Sequence, residues 1–266
     1  MIARKTLGEV WLLALIYLLV IEALLVPPIL LWPELYNVFQ KTPILDKLLV
    51  GEFMQRWKEG ITDRSGHVAY ANFMAIQLFF KGTNICGIAA AVLLGTGIIA
   101  RERENQTLEF LMARPVSRSR ILWSKFWVIA VVVVVPLFLS AWSAIPLSWE
   151  IEETLQFGNL TLAAFHSSVF VLMILALTTL CSVVFTSQLH TAATVGAIVV
   201  IELAVYFTQT VRASSMFRLS DFDIYGPIML GNTNFSTLFW GCTVWMILAT
   251  ALLYGAADWL FRRSNP

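Results

Sequence analysis

The sequence has 266 residues, of which 58% are hydrophobic and 13% are charged, with a formal net charge of +1. Soluble proteins carry about 25% charged residues, so this composition excludes a typical soluble domain and predicts a polytopic membrane protein. A net charge this close to zero also gives no electrostatic basis for binding nucleic acid.

Six apolar runs predict six transmembrane helices. A bilayer core of ~30 Å needs about 20 residues of helix, and each run reaches that length. The predicted fold class is therefore an all-α membrane protein with a single transmembrane domain over residues 1–266. The predicted spans cover residues 10–32, 75–100, 121–147, 160–186, 191–211 and 235–260.

The first span is predicted to be retained in the mature protein. Arg4 and Lys5 precede it, and no small-residue cleavage site follows its apolar run, so it does not have the pattern of a secretory signal peptide. Residues 33–73 then form a long outer loop, in which apolar side chains recur at helical spacing between Ile44 and Trp57. This pattern predicts a helix that lies on the outer leaflet.

A charged, amphipathic segment, residues 101–125, separates spans 2 and 3. Apolar side chains three and four residues apart share one face, which predicts a short helix near residues 102–113. Pro115 ends this helix because it lacks an N–H group, and Ser117 is placed to cap the next helix. The pattern alone supports two readings equally: a docking helix for a soluble partner, or an interfacial helix whose basic residues only enforce topology.

The basic residues predict the orientation of the spans. Six lie in the 101–125 segment, two precede span 1 and two follow span 6. In the segment between spans 3 and 4, by contrast, all charged residues are acidic. Short loops rich in Lys and Arg stay in the cytoplasm, so both termini and the 101–125 segment are predicted to face it. Tryptophans at both predicted ends of the spans agree, since indoles concentrate at membrane interfaces.

Polar side chains interrupt several apolar runs. Glu22 and Glu202 lie near the middles of spans 1 and 5, where a carboxylate must be protonated, paired or directed at a polar cavity. A translocation path, a contact between protomers and a hydrogen bond between helices all stay open for them. Gln77, Lys81 and Asn84 recur at i, i+4 and i+7 of span 2, which predicts one face lining an outer vestibule or, for Lys81, a cation reaching the interface.

The remaining chemistry-bearing residues predict no catalytic or metal site. His166 is isolated in sequence and is expected to be a hydrogen-bonded polar group, and the three cysteines match no metal spacing. Residues 212–234 mix charge with apolar side chains and predict an outer, partly re-entrant element between spans 5 and 6.

The amino-acid sequence of the 101–125 segment resembles that of ABC-2 type transporter permeases. Thr107-Leu108-Glu109, the run from Arg114 to Arg118 (Arg-Pro-Val-Ser-Arg) and Lys125 match the cytoplasmic segment of that family. The chain is similar to single-domain, six-span permeases, including those that serve nitrous oxide reductase maturation and the export of antibiotics or bacteriocins. The resemblance implies a coupling helix between spans 2 and 3, an outer element between spans 5 and 6, and a short amphipathic elbow helix over residues 2–9.

The resemblance also implies the function and the partners. The chain is expected to be the permease subunit of an ATP-binding cassette transporter in the cell inner (plasma) membrane, and the direction is expected to be export. The 266 residues contain no G-x-x-x-x-G-K-[ST] phosphate loop, so no cofactor is expected in this chain, and ATP and Mg²⁺ are assigned to a cytosolic ATPase partner. Membrane lipid and a second permease protomer, identical or closely related, are the other expected partners, and the 33–73 loop leaves room for an extracytoplasmic one.

The resemblance assigns contact with the ATPase to residues on and around the predicted coupling helix. An ion-coupled secondary carrier that uses Glu22 and Glu202 is the alternative function, and an intramembrane enzyme is disfavoured because its polar residues would be too sparse. The expected ATPase-coupling residues are Glu102, Glu104, Thr107, Leu108, Glu109, Leu111, Met112, Arg114 and Arg118.

Overall fold

Six long helices form the body of the molecule. Each is long and apolar enough to cross a membrane, which confirms the predicted all-α, six-span fold class. The computed structural model describes residues 2–41, 52–63, 65–108, 110 and 116–263. Numbered in chain order, spans 1 to 6 are Arg4–Leu30, Gly66–Glu104, Arg118–Trp149, Phe157–Val184, Gln188–Phe207 and Phe235–Arg263.

Span 4 is the central helix. Within its most apolar window 78% of the residues are buried, against 22% for span 1 and 17% for each of spans 5 and 6. Span 4 packs on spans 2, 3, 5 and 6. Its contact with span 2 is close, because a Cβ added at Gly95 would lie 2.8 Å from Thr178 Cγ2. Spans 1, 5 and 6 therefore present most of their surface to lipid or to another protein.

Span 1 belongs to one uninterrupted helix, Ile2–Leu30, which packs mainly along span 3. Residues 2–9 continue this helix, so the separate elbow helix expected there is not formed. The helix ends just after Pro27 and Pro28, whose missing N–H groups remove two helical hydrogen bonds. A second helix, Trp32–Lys41, follows directly.

The outer loop contains helices Trp32–Lys41 and Glu52–Ile61, and the part of the predicted interfacial helix in residues 42–51 lies outside the described residues. Span 2 begins earlier than its hydropathy predicts, at Gly66, because Tyr70 and Phe73 are fully buried against Trp32 in the outer core. This aromatic packing stabilises helix in residues that are not themselves a long apolar run.

Span 2 is not a regular α-helix throughout. It comprises the α-helix Gly66–Met74, a π-helix Ala75–Ile85, the α-helix Cys86–Thr96 and, after a turn, the short helix Ala100–Glu104. π-helical turns are rare and frequently mark functional sites.

The segment between spans 5 and 6 folds into short helices that stay outside the six candidate spans. They are the 3₁₀ helices Arg212–Ser214 and Met216–Ser220 and the α-helix Phe222–Met229. The last of these packs on the π-helix of span 2 and on span 4. Span 6 then comprises Phe235–Leu238, a π-helical turn Phe239–Thr243 and Val244–Arg263.

Candidate functional site

A break in the backbone of span 2 lies directly before the charged segment. The α-helix ends at Thr96 and helix resumes at Ala100, which leaves main-chain groups without helical partners. Ser182 of span 4 satisfies them: its Oγ accepts hydrogen bonds from the N–H groups of Ile99 (3.0 Å) and Ala100 (2.9 Å) and donates to the carbonyl of Thr96 (2.9 Å). One buried hydroxyl therefore fastens the break to the central helix.

An ion pair ties the same break to span 3. The Nζ of Lys125 lies 2.7 Å from Glu102 Oε1 and 3.0 Å from the carbonyl oxygen of Ile98. The two charged side chains are only 7% and 12% exposed. Removing one partner of an ion pair this well covered strongly destabilises the folded protein, because the other charge stays buried without compensation.

Two further charged residues reach the turn between spans 4 and 5. Arg103 donates from Nη1 to the carbonyl oxygens of Val183 (2.5 Å) and Phe185 (3.2 Å), so a cation binds the carbonyl groups that end span 4. Glu104 Oε2 accepts from the side chain of Gln188 (3.1 Å) at the start of span 5. An anion at that position is favoured by the helix dipole.

The start of span 3 holds the end of span 6. Arg118 donates from Nη1 to the carbonyl oxygens of Phe261 and Arg262, each at 3.3 Å. Arg262 in turn donates to Ser119 Oγ at 2.7 Å and pairs with Asp258 one turn earlier. Arg118 therefore binds the last carbonyl groups of span 6 as a C-terminal cap.

Together these contacts join the ends of spans 2 to 6 on the side of the molecule where the 101–125 segment lies. We call this set the polar junction and define it by the residues that make its bonds. They are Thr96, Ile98, Ile99, Ala100, Glu102, Arg103, Glu104, Arg118, Ser119, Lys125, Ser182, Val183, Phe185, Gln188, Asp258, Phe261 and Arg262.

The residues expected to touch an ATPase fall into three groups. Glu102, Glu104 and Arg118 make the bonds of the polar junction, and Thr107 hydrogen-bonds to Glu102. Leu108 is 5% exposed and belongs to the buried core, so its side chain is directed inward. The others lie outside the described residues: Glu109, Leu111, Met112 and Arg114.

Sequence reasoning missed the partners that complete the junction. Lys125 was recognised only as part of the motif, although a lysine at the start of a long apolar run signals a buried partner. Arg103 carried no such signal, because it lies in the charged run Arg101–Glu104. Ser182 carried none, because serine is common in membrane helices and nothing in its neighbourhood points to the break it fills.

The two intramembrane glutamates accept hydrogen bonds from within the chain. Ser143 of span 3 donates to Glu22 at 2.9 Å. The side chain of Glu202 accepts from the backbone N–H of Met216 at 2.9 Å, at the start of a 3₁₀ helix. Both carboxylates therefore join separate elements of the fold.

The polar stripe of span 2 does not share one face. Asn84 is 1% exposed, Gln77 is half-buried and Lys81 is exposed. The reason is the π-helix, whose i→i+5 hydrogen bonds replace the 3.6-residue period on which the prediction depended. Of the three, Asn84 is the one that is fully buried.

Asn84 lies at the centre of a buried network at the other end of the molecule. Its amide donates to Ser220 Oγ (2.9 Å), and its carbonyl oxygen accepts from Ser167 (2.9 Å) and Tyr225 (3.3 Å). Burial raises the pKa of Tyr225 to about 12, so its hydroxyl keeps its proton and remains a donor. We call Asn84, Ser167, Ser220 and Tyr225 the outer network.

Two more residues, His166 and Asp221, hold the segment between spans 5 and 6 by hydrogen bonds and an ion pair. His166 of span 4 donates from Nε2 to the carbonyl oxygen of Leu219 (2.7 Å), and its Nδ1 lies 2.9 Å from Thr243 Oγ1. It is thus hydrogen-bonded on both sides, as predicted. Asp221 is fully buried and binds Arg212 (2.5 Å) and Tyr206 (2.6 Å).

Comparison with known families gives one match. Residues 4–224 match the family model described as ABC-2 family transporter protein, which covers most of the chain. No curated protein matches the sequence.

Proposed function

This chain belongs to the ABC-2 family of transporter proteins, and we propose that it is the permease subunit of an exporter driven by a separate cytosolic ATPase. It is a multi-pass membrane protein with six candidate spans. We further propose that both termini and the polar junction face the cytoplasm, since the basic residues concentrate on that side. ATP and Mg²⁺ would then bind only to the partner.

The single observation that carries the proposal is the polar junction. Spans 2 and 3 flank residues 109–115, and ionic or hydrogen-bonded contacts link their ends to spans 4, 5 and 6. A partner that pushes on this segment would displace several helices together, because each is fastened by charged side chains or by a buried hydroxyl. Chains of packed side chains, hydrogen bonds and ion pairs of this kind carry energetic coupling between sites.

The junction divides the expected coupling residues into two roles. We assign docking on the ATPase to Glu109, Leu111, Met112 and Arg114 and to Glu104 and Thr107, of which the last two are exposed. Glu102 and Arg118 transmit the movement, because their charges are engaged inside the chain. Leu108 anchors the segment to the core.

The proposal includes a second permease protomer, identical or closely related. The low burial of spans 1, 5 and 6 leaves ample apolar surface for such a contact as well as for lipid. The loop at residues 33–73 is the proposed place for an extracytoplasmic partner. Ion-coupled transport through Glu22 and Glu202 is not favoured, because both carboxylates serve contacts inside the fold.

Co-purification from native membranes tests the proposal. We expect an ABC ATPase to co-purify with the tagged full-length chain, and Glu109→Lys to reduce its recovery at least tenfold, because the substitution reverses a charge on the docking surface. Glu150→Lys is the matched control, since it makes the same change between spans 3 and 4 on the opposite side. Absence of an ATPase, or equal losses for the two variants, would refute the assignment.

A further inference from the structure

A groove runs along the seam between spans 1 and 3, away from the polar junction's own contacts. At its charged end it is a cavity of about 610 Å³. The lining of this cavity includes Arg4, Leu7, Arg120, Trp123, Trp127 and Val131. Its wall is apolar apart from these two arginines and one serine, and no acidic residue contributes to it.

The two arginines supply a positive charge that no ion pair with a described residue neutralises. Arg4 and Arg120 are both exposed, and no ion pair joins either of them to another described residue. The acidic residue nearest to Arg4 in sequence, Glu9, pairs instead with Lys5 at 3.6 Å. One arginine comes from each helix, so an anion between them would contact both walls of the groove.

Aromatic side chains lie next to the arginines. Trp123 and Trp127 are 53% and 44% exposed, and their rings meet edge to face with centroids 5.3 Å apart. Exposed indoles on a membrane helix mark the depth of the lipid headgroups and carbonyls. The charged end of the groove is therefore at headgroup depth.

The groove continues toward the middle of the bilayer. A second cavity of about 400 Å³ shares Val131 with the first and is lined by apolar side chains that include Leu15, Leu18 and Pro136. Along a helix that rises 1.5 Å per residue, Val131 is about 16 Å from Arg120. This is about half of a ~30 Å hydrocarbon core, so the groove extends through one leaflet.

We propose that this groove binds one anionic phospholipid, with the phosphate between Arg4 and Arg120 and an acyl chain extending past Val131. Charge complementarity selects an anionic headgroup, and the apolar continuation selects a molecule with a hydrocarbon chain attached to it. The site is distinct from the ATPase-docking segment. The lipid proposal rests on the proposed function only in the choice of leaflet. Arg120 lies two residues from Arg118 of the junction, so the leaflet is the one on the side that the junction faces.

Binding is measured on the purified full-length chain in a neutral detergent, with phosphatidylglycerol as the probe and phosphatidylcholine of the same acyl chains as the comparison. We expect native mass spectrometry to show one tightly bound phosphatidylglycerol. The double variant Arg4→Gln/Arg120→Gln should weaken it about 30-fold, which corresponds to about 2 kcal/mol for two cations near an anionic headgroup. The control Arg101→Gln/Arg263→Gln removes two exposed cations outside the groove and should leave the affinity unchanged.

A second variant tests the acyl end without changing any charge. Val131→Trp places a large side chain where the two cavities meet, and we expect it to weaken binding by at least fivefold. Equal affinity for the two lipids, equal losses in the double variant and its control, or full binding by Val131→Trp would each overturn the proposal. Failure here leaves ATPase co-purification unaffected, so the two proposals fail separately.

Discussion

The polar junction and the outer network hold helices together by different means. Apart from the Ser182 hydroxyl and the Gln188 amide, the junction uses long ionic side chains that reach across helix ends to carbonyl groups and to one carboxylate. The outer network uses neutral groups, three short side chains and the rigid ring of Tyr225, each fully buried and bonded to the next. Long side chains with several rotatable bonds keep their partners over a range of helix positions, whereas short ones do so at one distance only. The difference suits the junction to movement and the outer network to a fixed frame.

The largest expected effect comes from the one ion pair in the junction that is covered on both sides. Lys125→Met leaves the Glu102 carboxylate buried without its partner and should lower the free energy of unfolding by about 3–5 kcal/mol. Adding Glu102→Gln to the same chain should restore much of the loss. Denaturation in detergent micelles measures both, and a double variant no more stable than the single one would contradict this account.

Next in size is the centre of the outer network. Asn84→Leu removes the partner of Ser167, Ser220 and Tyr225 at once, and we expect a loss of about 2–3 kcal/mol in the same measurement. Gln77→Leu is the control, because it also replaces an amide side chain of the same π-helix by leucine, but at a half-buried position. It should cost less than about 0.5 kcal/mol. Equal costs would mean that Asn84 is not the hub.

The hydroxyl that fills the break in span 2 should have a smaller effect. Ser182→Ala leaves the N–H groups of Ile99 and Ala100 unpaired, for an expected loss of about 1–2 kcal/mol. Ser168→Ala is the control, because that buried hydroxyl only donates to Ala164 within its own helix. If the control is as destabilised as Ser182→Ala, the break does not depend on Ser182.

The smallest effect is expected at the exposed edge of the junction. Arg262→Gln removes an ion pair in which Arg262 is 63% exposed and Asp258 is 14% exposed, and we expect a loss of about 0.2–1 kcal/mol. The loss should shrink in 1 M salt, because salt screens the exposed charge of Arg262. A loss above about 1 kcal/mol would indicate that the bond from Arg262 to Ser119 matters more than the ion pair.

The sequence predicted the number and type of the spans because hydropathy depends on composition along the chain. It also predicted the hydrogen-bonded state of His166, since an isolated polar residue in an apolar run is a local signal. The bonds of Lys125 and Ser182 depend on which helices are neighbours, and a single sequence carries no such information. The sequence predicted one shared face for Gln77, Lys81 and Asn84, because hydropathy gives no indication of a π-helix.

The π-helix of span 2 has a consequence for deletions. It accommodates surplus residues between two α-helical stretches, because a π-helix holds more residues per turn than an α-helix. Deleting a single residue there, such as the exposed Lys81, lets the segment tighten toward α-helix and avoids the rotation of about 100° that the same deletion causes in a regular α-helix. Tyr70 and Phe73 would then stay in the core. A one-residue deletion should therefore do less damage here than in the α-helical stretch Cys86–Thr96.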